Sequence, residues 1–541
     1  MQRIKSLWVY NQDGLVVILT VMFLLTLGAY NVFIQDDAFI SFRYAENFAQ
    51  GNGLVWNAGD AKPVEGYTNF LWTLLISAPI ALDLNPVLWS MIFGLIFGSG
   101  TLFFTYRVSF KITHSHYASL LSIVLLGTNY TFSSYLTGGL ETQLQAFLVT
   151  VSVYVSLCFF NRSPNEPDKW ISYPVLSVLF SLAVMTRLDS ILICGILFLA
   201  VGYSLYCNQE ESNKKLRKLT MLAAPGMLIV GTWLLLKCLY YGDILPNTFY
   251  VKATGSLSLL RGLIYTSAFF ISYGLFPFLI LGVLWFSRIR AERNLIIILS
   301  ATILVWILYV IKVSGDFMEF RFFVPIAPLL YILIAIVIFT MSGWRKKAVS
   351  VVFLLVLSLR HGIFFRGVNN IESIRQLNAH IVDKQQDWQT VGRVLGDMFF
   401  DSNTPVVIST TAAGAIPYYS KLPTIDMLGL NDKWIAKNGI MIGSRPGHTR
   451  YTTIQYLIDS KVDLVLGHPN VREILSPATS DPKSFFWGQA DISVLPSTMK
   501  VIQIPLNANF RVDVLYISKN NAVDKAIQKF GLVTKDIFVT K

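Results

Sequence analysis

Asp36 and Asp37 stand side by side at the start of "QDDAFISFRYAENFAQGNGLVWN", directly after an apolar run that ends near Ile34. Two adjacent carboxylates can take the proton of an acceptor hydroxyl or hold a divalent cation, and a guanidinium or ammonium can neutralise a phosphate leaving group. Residues of these types recur beside later apolar runs. Arg43 and Glu65 lie in the same loop, Glu141 in "TGGLETQ", and Arg187 and Asp189 in "MTRLDS". Asp243, Asn247 and Lys252 follow in "YYGDILPNTFYVKA", then Asp316, Glu319 and Arg321 in "GDFMEFRFFVPIAP". Oxygen-only ligands suit hard cations, so Asp36 and Asp37 are also where Mg2+ or Mn2+ would sit if a metal takes part. The plainer use of an Asp at a helix start is as an N-cap, here for a helix predicted over Ala38–Gln50. One Asp suffices for that, which leaves the other for chemistry.

The elements that must position these residues belong to a membrane. The chain has 541 residues, of which 54% are hydrophobic and 14% charged, and its mean hydropathy is +0.54. A water-soluble core of this size needs less apolar content. The formal net charge of +12 is not a nucleic-acid footprint, because Lys and Arg fall in short clusters between apolar runs. Stretches long enough to cross a bilayer as helices lie near 14–34, 87–106, 117–135, 142–160, 171–186, 190–207, 219–241, 263–286, 294–312, 323–341 and 348–365, about eleven spans. The first is long for a signal-peptide core and lacks a small-residue cleavage site, so it reads as a retained helix. Thr68–Leu82 is apolar but short and carries Pro79, which makes it interfacial or re-entrant.

Every second loop is then basic: Arg107 and Lys111, Arg162 and Lys169, Lys214–Lys218, Arg288–Arg293, and Arg345–Lys347. With the N-terminus inside, these loops are cytoplasmic and the acidic and basic residues singled out above collect on the outer side. The four cysteines lie in or beside apolar runs without metal or redox spacing and are expected to pack. Trp56, Trp72 and Trp89 are expected in an interfacial aromatic belt.

The resulting fold class is a polytopic α-helical membrane domain over 1–365, with a large first outer loop at 35–86, followed by a soluble α/β domain over 366–541 outside the cytoplasm. In that last part "TPVVIST", "VDLVLG" and "FRVDVLYIS" read as strands, and Asp387–Phe399 and Tyr451–Ser460 as helices. His448 and His468 lack a partnered ligand spacing and read as surface residues. No repeat stands out.

No G-x-x-x-x-G-K-[ST] and no G-x-G-x-x-G after a strand is present. An energy source must then arrive with the substrate, and a lipid-phosphate sugar supplies both a bilayer-soluble handle and an activated bond. A transporter or flippase of a lipid-linked glycan is the alternative from another class. Transporters place ionisable residues near the midplane, often in repeated halves, whereas here they stand at the outer ends. A non-catalytic glycan-binding scaffold would leave the Asp doublet unexplained.

The stretch "DDAFISFRYAENFAQGNGLVWNAGDAKPVEGYTNFLW" resembles the first outer loop of C-type (GT-C) membrane glycosyltransferases, in particular the group containing the mycobacterial terminal β-arabinofuranosyltransferase and related bacterial envelope proteins. "FRFFVPIAP" is similar to the Arg-aromatic-x-x-Pro-x-x-Pro helix start of lipid-linked sugar transferases, and "AAGAIPYYSKLPTIDMLGLND" extends the likeness into the outer domain. The resemblance implies an enzyme of the bacterial inner membrane that moves a single sugar, with inversion, from a polyprenyl-phosphate donor to a cell-envelope glycan or glycolipid. It points to Asp36 or Asp37 as the base and to Lys252 and Arg321 as the residues that hold the phosphate. Arg43, Glu65, Glu141, Arg187, Asp189 and Asp316 are the further substrate-binding candidates.

Overall fold

The computed structural model describes residues 2–60, 62–160, 171–208, 210–253, 258–288, 292–400, 404–487 and 491–538. All the apolar stretches fall on helices. They are α1 (Gln2–Tyr30), α4 (Pro86–Thr113), α5 and α6 (His116–Gly127, Tyr130–Ser134), α7 (Thr142–Leu157), α8 (Ser172–Thr186), α9 (Ile191–Cys207), α10 (Ser212–Tyr241), α12 and α13 (Leu259–Ser272, Phe276–Leu284), α14 (Arg293–Lys312), α15 (Ala327–Thr340) and α16 (Trp344–Phe364). Among the described residues six helical segments are long and apolar enough to cross a membrane, or seven if α12 and α13 form one broken span bent by 88°. The sequence count is higher because it includes stretches whose helices are shorter, such as α7 and α8. The break between α12 and α13 falls at Gly274, whose φ of +63° suits a residue without a Cβ. α15 is apolar all round and accordingly buried on nearly all sides.

Two helices of the first loop lie between α1 and α4: α2 (Asp36–Ala49) and α3 (Phe70–Ala81). α3 has 12 residues and contains Pro79, too short to span on its own. α2 begins two residues earlier than the sequence suggests, and its cap is Gln35, whose Oε1 accepts the Asp37 N–H at 2.5 Å. Neither aspartate is therefore the N-cap. Trp56 and Trp72 do not belong to an aromatic belt: both are buried, their indole N–H groups donating to the carbonyls of Thr424 and Gly139. Trp89 is partly exposed and packs on Phe93. Cys194 is buried as expected of a packing residue, whereas Cys207 is exposed. The Arg162 and Lys169 loop lies outside the described residues.

After α16 the chain enters the C-terminal domain through α17 (Ile374–Val382), opened by a Ser373/Gln376 capping box, and α18 (Trp388–Phe399), capped by Asp387. Its strands are β1 (Ile408–Thr410), β2 (Thr424–Asp426), β3 (Ile440–Met441), β4 (Arg450–Tyr451), β5 (Leu464–Gly467), β6 (Val471–Glu473), β7 (Thr498–Pro505), β8 (Phe510–Tyr516) and β9 (Val533–Phe538). The main sheet runs β2-β1-β5-β8-β7-β9, with β6 also on β8. β1 pairs in parallel with β2 and β5, and the other pairs are antiparallel. The predicted strands are β1, β5 and β8, whose residues are buried on both faces and so read as continuous apolar runs. Tyr451–Ser460 differs from expectation by opening as β4 before the helix Ile454–Asp459.

Between β1 and β2 lies the short helix α19 (Ala415–Ser420), which packs on α2 and joins this domain to the first loop. On the same side, Asn247 in α11 (Asn247–Ala253) donates to the carbonyls of Gly429, Leu430 and Asp432 at 2.8–3.1 Å.

Candidate functional site

The two aspartates of the doublet point to different neighbours. Asp36 Oδ2 accepts the Gly414 N–H at 3.0 Å and Oδ1 accepts the Ala415 N–H at 2.8 Å, so its carboxylate closes on the start of α19. Gly414 fits there because it has no side chain: a Cβ would lie 2.0 Å from the Asp36 carbonyl oxygen. Burial pushes the Asp36 carboxyl up to about 7 against these two hydrogen bonds. Asp37 is only partly buried. Burial raises its pKa too, and the charges that act on it are those of Arg321, Lys252 and Asp316.

Those three residues form the centre of the site. Arg321 pairs with Asp316 at 2.7 Å, and Asp316 Oδ1 also accepts the Phe317 N–H at 2.8 Å. Arg321 Nε is buried without a hydrogen-bond partner, and so is the Tyr135 hydroxyl, which lies within electrostatic reach of Arg321 and Asp37. Lys252, on α11, makes no ion pair among the described residues. Burial lowers its pKa, with Asp316 opposing and Arg321 adding to the effect. A carboxylate thus lies within electrostatic reach of an ammonium and a guanidinium, with unused N–H and O–H donors in the same cluster.

Glu141, Arg187 and Asp189 form a neighbouring network. Arg187 reaches Glu141 at 2.8 Å and Asp189 at 2.8 Å, Asn69 donates to the second Glu141 oxygen at 2.8 Å, and Gln145 donates to Asp189 at 2.9 Å. Every charge here is paired, as burial at the end of a helical bundle requires. Arg187 and Glu141 also lie within electrostatic reach of Arg321.

Two further candidates stand away from this centre. Arg43 donates to the carbonyls of Trp56 at 2.8 Å, Leu422 at 2.9 Å and Pro417, and to Asn57 Oδ1 at 3.0 Å, while its guanidinium covers the Trp56 ring. All three of its nitrogens are spent on joining the first loop to α19. Glu65 pairs with Lys237 of α10 at 2.9 Å, both buried. Asp243 meets Lys433 and Lys437, and Glu319 meets His361 at 2.9 Å. Both Asp36 oxygens accept backbone N–H groups, and no group of three or more His, Cys, Asp or Glu among the described residues is arranged to hold a metal.

Sequence reasoning missed Tyr135 and Arg261, whose Nε and Nη2 are buried without partners near Asp316. A lone Tyr or Arg at a helix end carries no pattern that would reveal it. His448 and His468 were expected at the surface. His468 is exposed, but His448 is half-buried, and burial lowers its pKa to about 4.

Residues 373–515 match a family described as a domain of unknown function (DUF8728). The chain is 24% identical over 262 residues to the terminal β-(1→2)-arabinofuranosyltransferase of Mycobacterium tuberculosis, a match that spans 46% of this chain and 40% of that protein's length. Its fold matches the crystal structure of ArnT from Cupriavidus metallidurans bound to undecaprenyl phosphate, with a TM-score of 0.59 at 11% identity over 93% of this chain and 97% of that one. It also matches the archaeal oligosaccharyltransferase AglB from Archaeoglobus fulgidus in complex with an inhibitory peptide and a dolichol-phosphate, with a TM-score of 0.51 at 10% identity over 93% and 74%.

Proposed function

We propose that this chain, which has the GT-C membrane fold, is an inverting glycosyltransferase that moves one sugar from a polyprenyl phosphate to a cell-envelope glycan or glycolipid on the outer side of a bacterial inner membrane. The observation that carries this reading is that Asp37 lies within electrostatic reach of both Lys252 and Arg321. Two solved structures of the same fold are complexes with undecaprenyl phosphate and with a dolichol-phosphate, and the mycobacterial relative is a sugar transferase.

In the reaction the acceptor hydroxyl oxygen attacks the anomeric carbon, the bond from that carbon to the phosphate oxygen breaks, and the hydroxyl proton passes to the Asp37 carboxylate. The phosphate leaves with its charge met by Lys252 and Arg321, whose free Nε–H and the Tyr135 O–H are the unused donors on that side. Inversion requires attack opposite the leaving group, so base and cations must stand on opposite sides of the anomeric carbon. Asp316 keeps Arg321 in place, and Asp36 and Arg43 hold the C-terminal domain against the first loop.

The test is to incubate the purified protein with a panel of polyprenyl-phosphate sugars and to follow release of polyprenyl phosphate. Consumption of one member with transfer to an envelope glycan is the expected result. Movement of lipid-linked glycan across vesicles with no donor consumed would replace this reading with transport.

A further inference from the structure

Next to the charged centre, eight side chains make a closed circuit. His380 stacks on Trp388 at 4.4 Å, Trp388 meets the His468 ring edge-on at 5.8 Å, and His468 meets Trp487 at 6.0 Å. Trp487 stacks near His448 at 6.1 Å, and His448 meets Phe317 at 5.2 Å. Arg445 lies over Phe317 at 5.2 Å and pairs with Glu372 at 2.5 Å, and Glu372 returns to His380 at 3.3 Å. Phe317 comes from the loop that carries Asp316, and the others come from the linker and the C-terminal domain. The circuit therefore bridges the two parts of the chain.

A structural cluster of this kind would satisfy its own polar atoms, but Arg445 Nε is buried without a hydrogen-bond partner. Arg261, with two unpartnered nitrogens, lies within electrostatic reach of both Arg445 and Asp316, and His380 within reach of Asp36. The circuit and the charged centre thus share a wall. His468 is exposed, and Trp487, stacked on Tyr451 at 5.6 Å, is only partly covered, so ring surface remains open to a ligand.

Aromatic and imidazole faces beside a carboxylate and unpaired guanidinium N–H groups suit a sugar ring, which offers an apolar C–H face and a rim of hydroxyls. We infer that this circuit is the subsite for the acceptor glycan, seating the sugar unit next to the hydroxyl under attack. The inference rests on the transferase reading for the identity of its ligand. Trp487 and His468 supply the stacking faces, and Arg445, Arg261 and Glu372 meet the hydroxyls.

The probe is a panel of short oligosaccharides of galactofuranose, arabinofuranose, mannose and N-acetylglucosamine, read by saturation-transfer NMR on the full chain in nanodiscs. At least one member should bind the wild type. Trp487→Ala and His468→Ala should weaken that binding about tenfold, the scale of one lost stacking contact, and Trp487→Phe should restore most of it. Acceptor KM should rise in parallel, while hydrolysis of the donor by water stays unchanged and, for the exposed His468, so does the melting temperature. No binding by any member, equal binding by the Ala variants, or a parallel fall in donor hydrolysis would each overturn the subsite. A wild type that binds a glycan but consumes no polyprenyl-phosphate sugar would leave the subsite standing and remove the transferase reading.

Discussion

Asn in place of each aspartate of the doublet should separate two roles that adjacent positions disguise. The Asp37 carboxylate takes a side-chain hydrogen bond from its near neighbour Gln35 and holds no distant segment among the described residues, so Asp37→Asn should leave the melting temperature near that of the wild type. The amide cannot take the proton, and loss of a general base costs about 10²–10⁴-fold in rate, or about 3–5 kcal/mol of barrier. Asp36 instead accepts the N–H groups of Gly414 and Ala415. Its Asn variant turns an NH2 group toward one of these donors and strands it, at a cost of about 1–3 kcal/mol. Asp36→Ala strands both and costs about 2–6 kcal/mol by the same reckoning. The assay pairs thermal melting and protease resistance of the C-terminal domain with sugar transfer under single-turnover conditions. Transfer should fall most in Asp37→Asn and docking most in Asp36→Ala. An Asp36→Asn protein that is fully docked but inert, beside an Asp37→Asn protein with near-wild-type transfer, would refute the assignment and make Asp36 the base.

Four further outcomes are expected. Lys252→Ala and Arg321→Ala should weaken binding of the polyprenyl-phosphate donor more than they slow a saturated turnover, as measured by donor titration, because each removes a charge that the phosphate meets before reaction. The pH profile of kcat/KM should be a bell: the base must be ionised, and burial holds Asp37 above the ordinary 3.8, so the acid limb lies above that value. Burial also holds Lys252 below 10.5, so the alkaline limb lies below the usual lysine range. Gly414→Ala should undock the domain, seen as faster proteolysis after Phe400, because its Cβ would meet the Asp36 carbonyl oxygen at 2.0 Å. Topology reporters fused after Gly343 and after Asn370 should report opposite sides of the membrane; the same side for both would remove the outer-face assignment.

The sequence makes the helices legible because their apolar runs are long, and the charged centre legible because Asp, Lys and Arg beside such runs are costly without a purpose. Which aspartate faces the cations is not written locally. Gln35 takes the cap that either Asp was expected to supply, and Asp36 is committed to Gly414, 378 positions away. Arg43 looks like a free cation in "ISFRYAEN" and becomes a clamp only through Pro417 and Leu422. The residues of the circuit are scattered from Phe317 to Trp487 and share no periodicity. β7 and β9 escape the strand reading because "TMKVIQIP" and "VTKDIF" sit toward the end of the sheet and mix polar with apolar residues.

The junction of Asp36 with Gly414 also sets an order of assembly. The residue beside the proposed base is held by a segment that the ribosome makes nearly four hundred residues later, so the helix start at Gln35 is made with its partner still unwritten. Such a distant contact is among the last to close. A half-made chain carries the carboxylate, the lysine and the arginine in a bundle whose geometry is not yet fixed. On the proposed reading, a donor lipid then meets a competent site only on chains whose C-terminal domain has folded and come to rest.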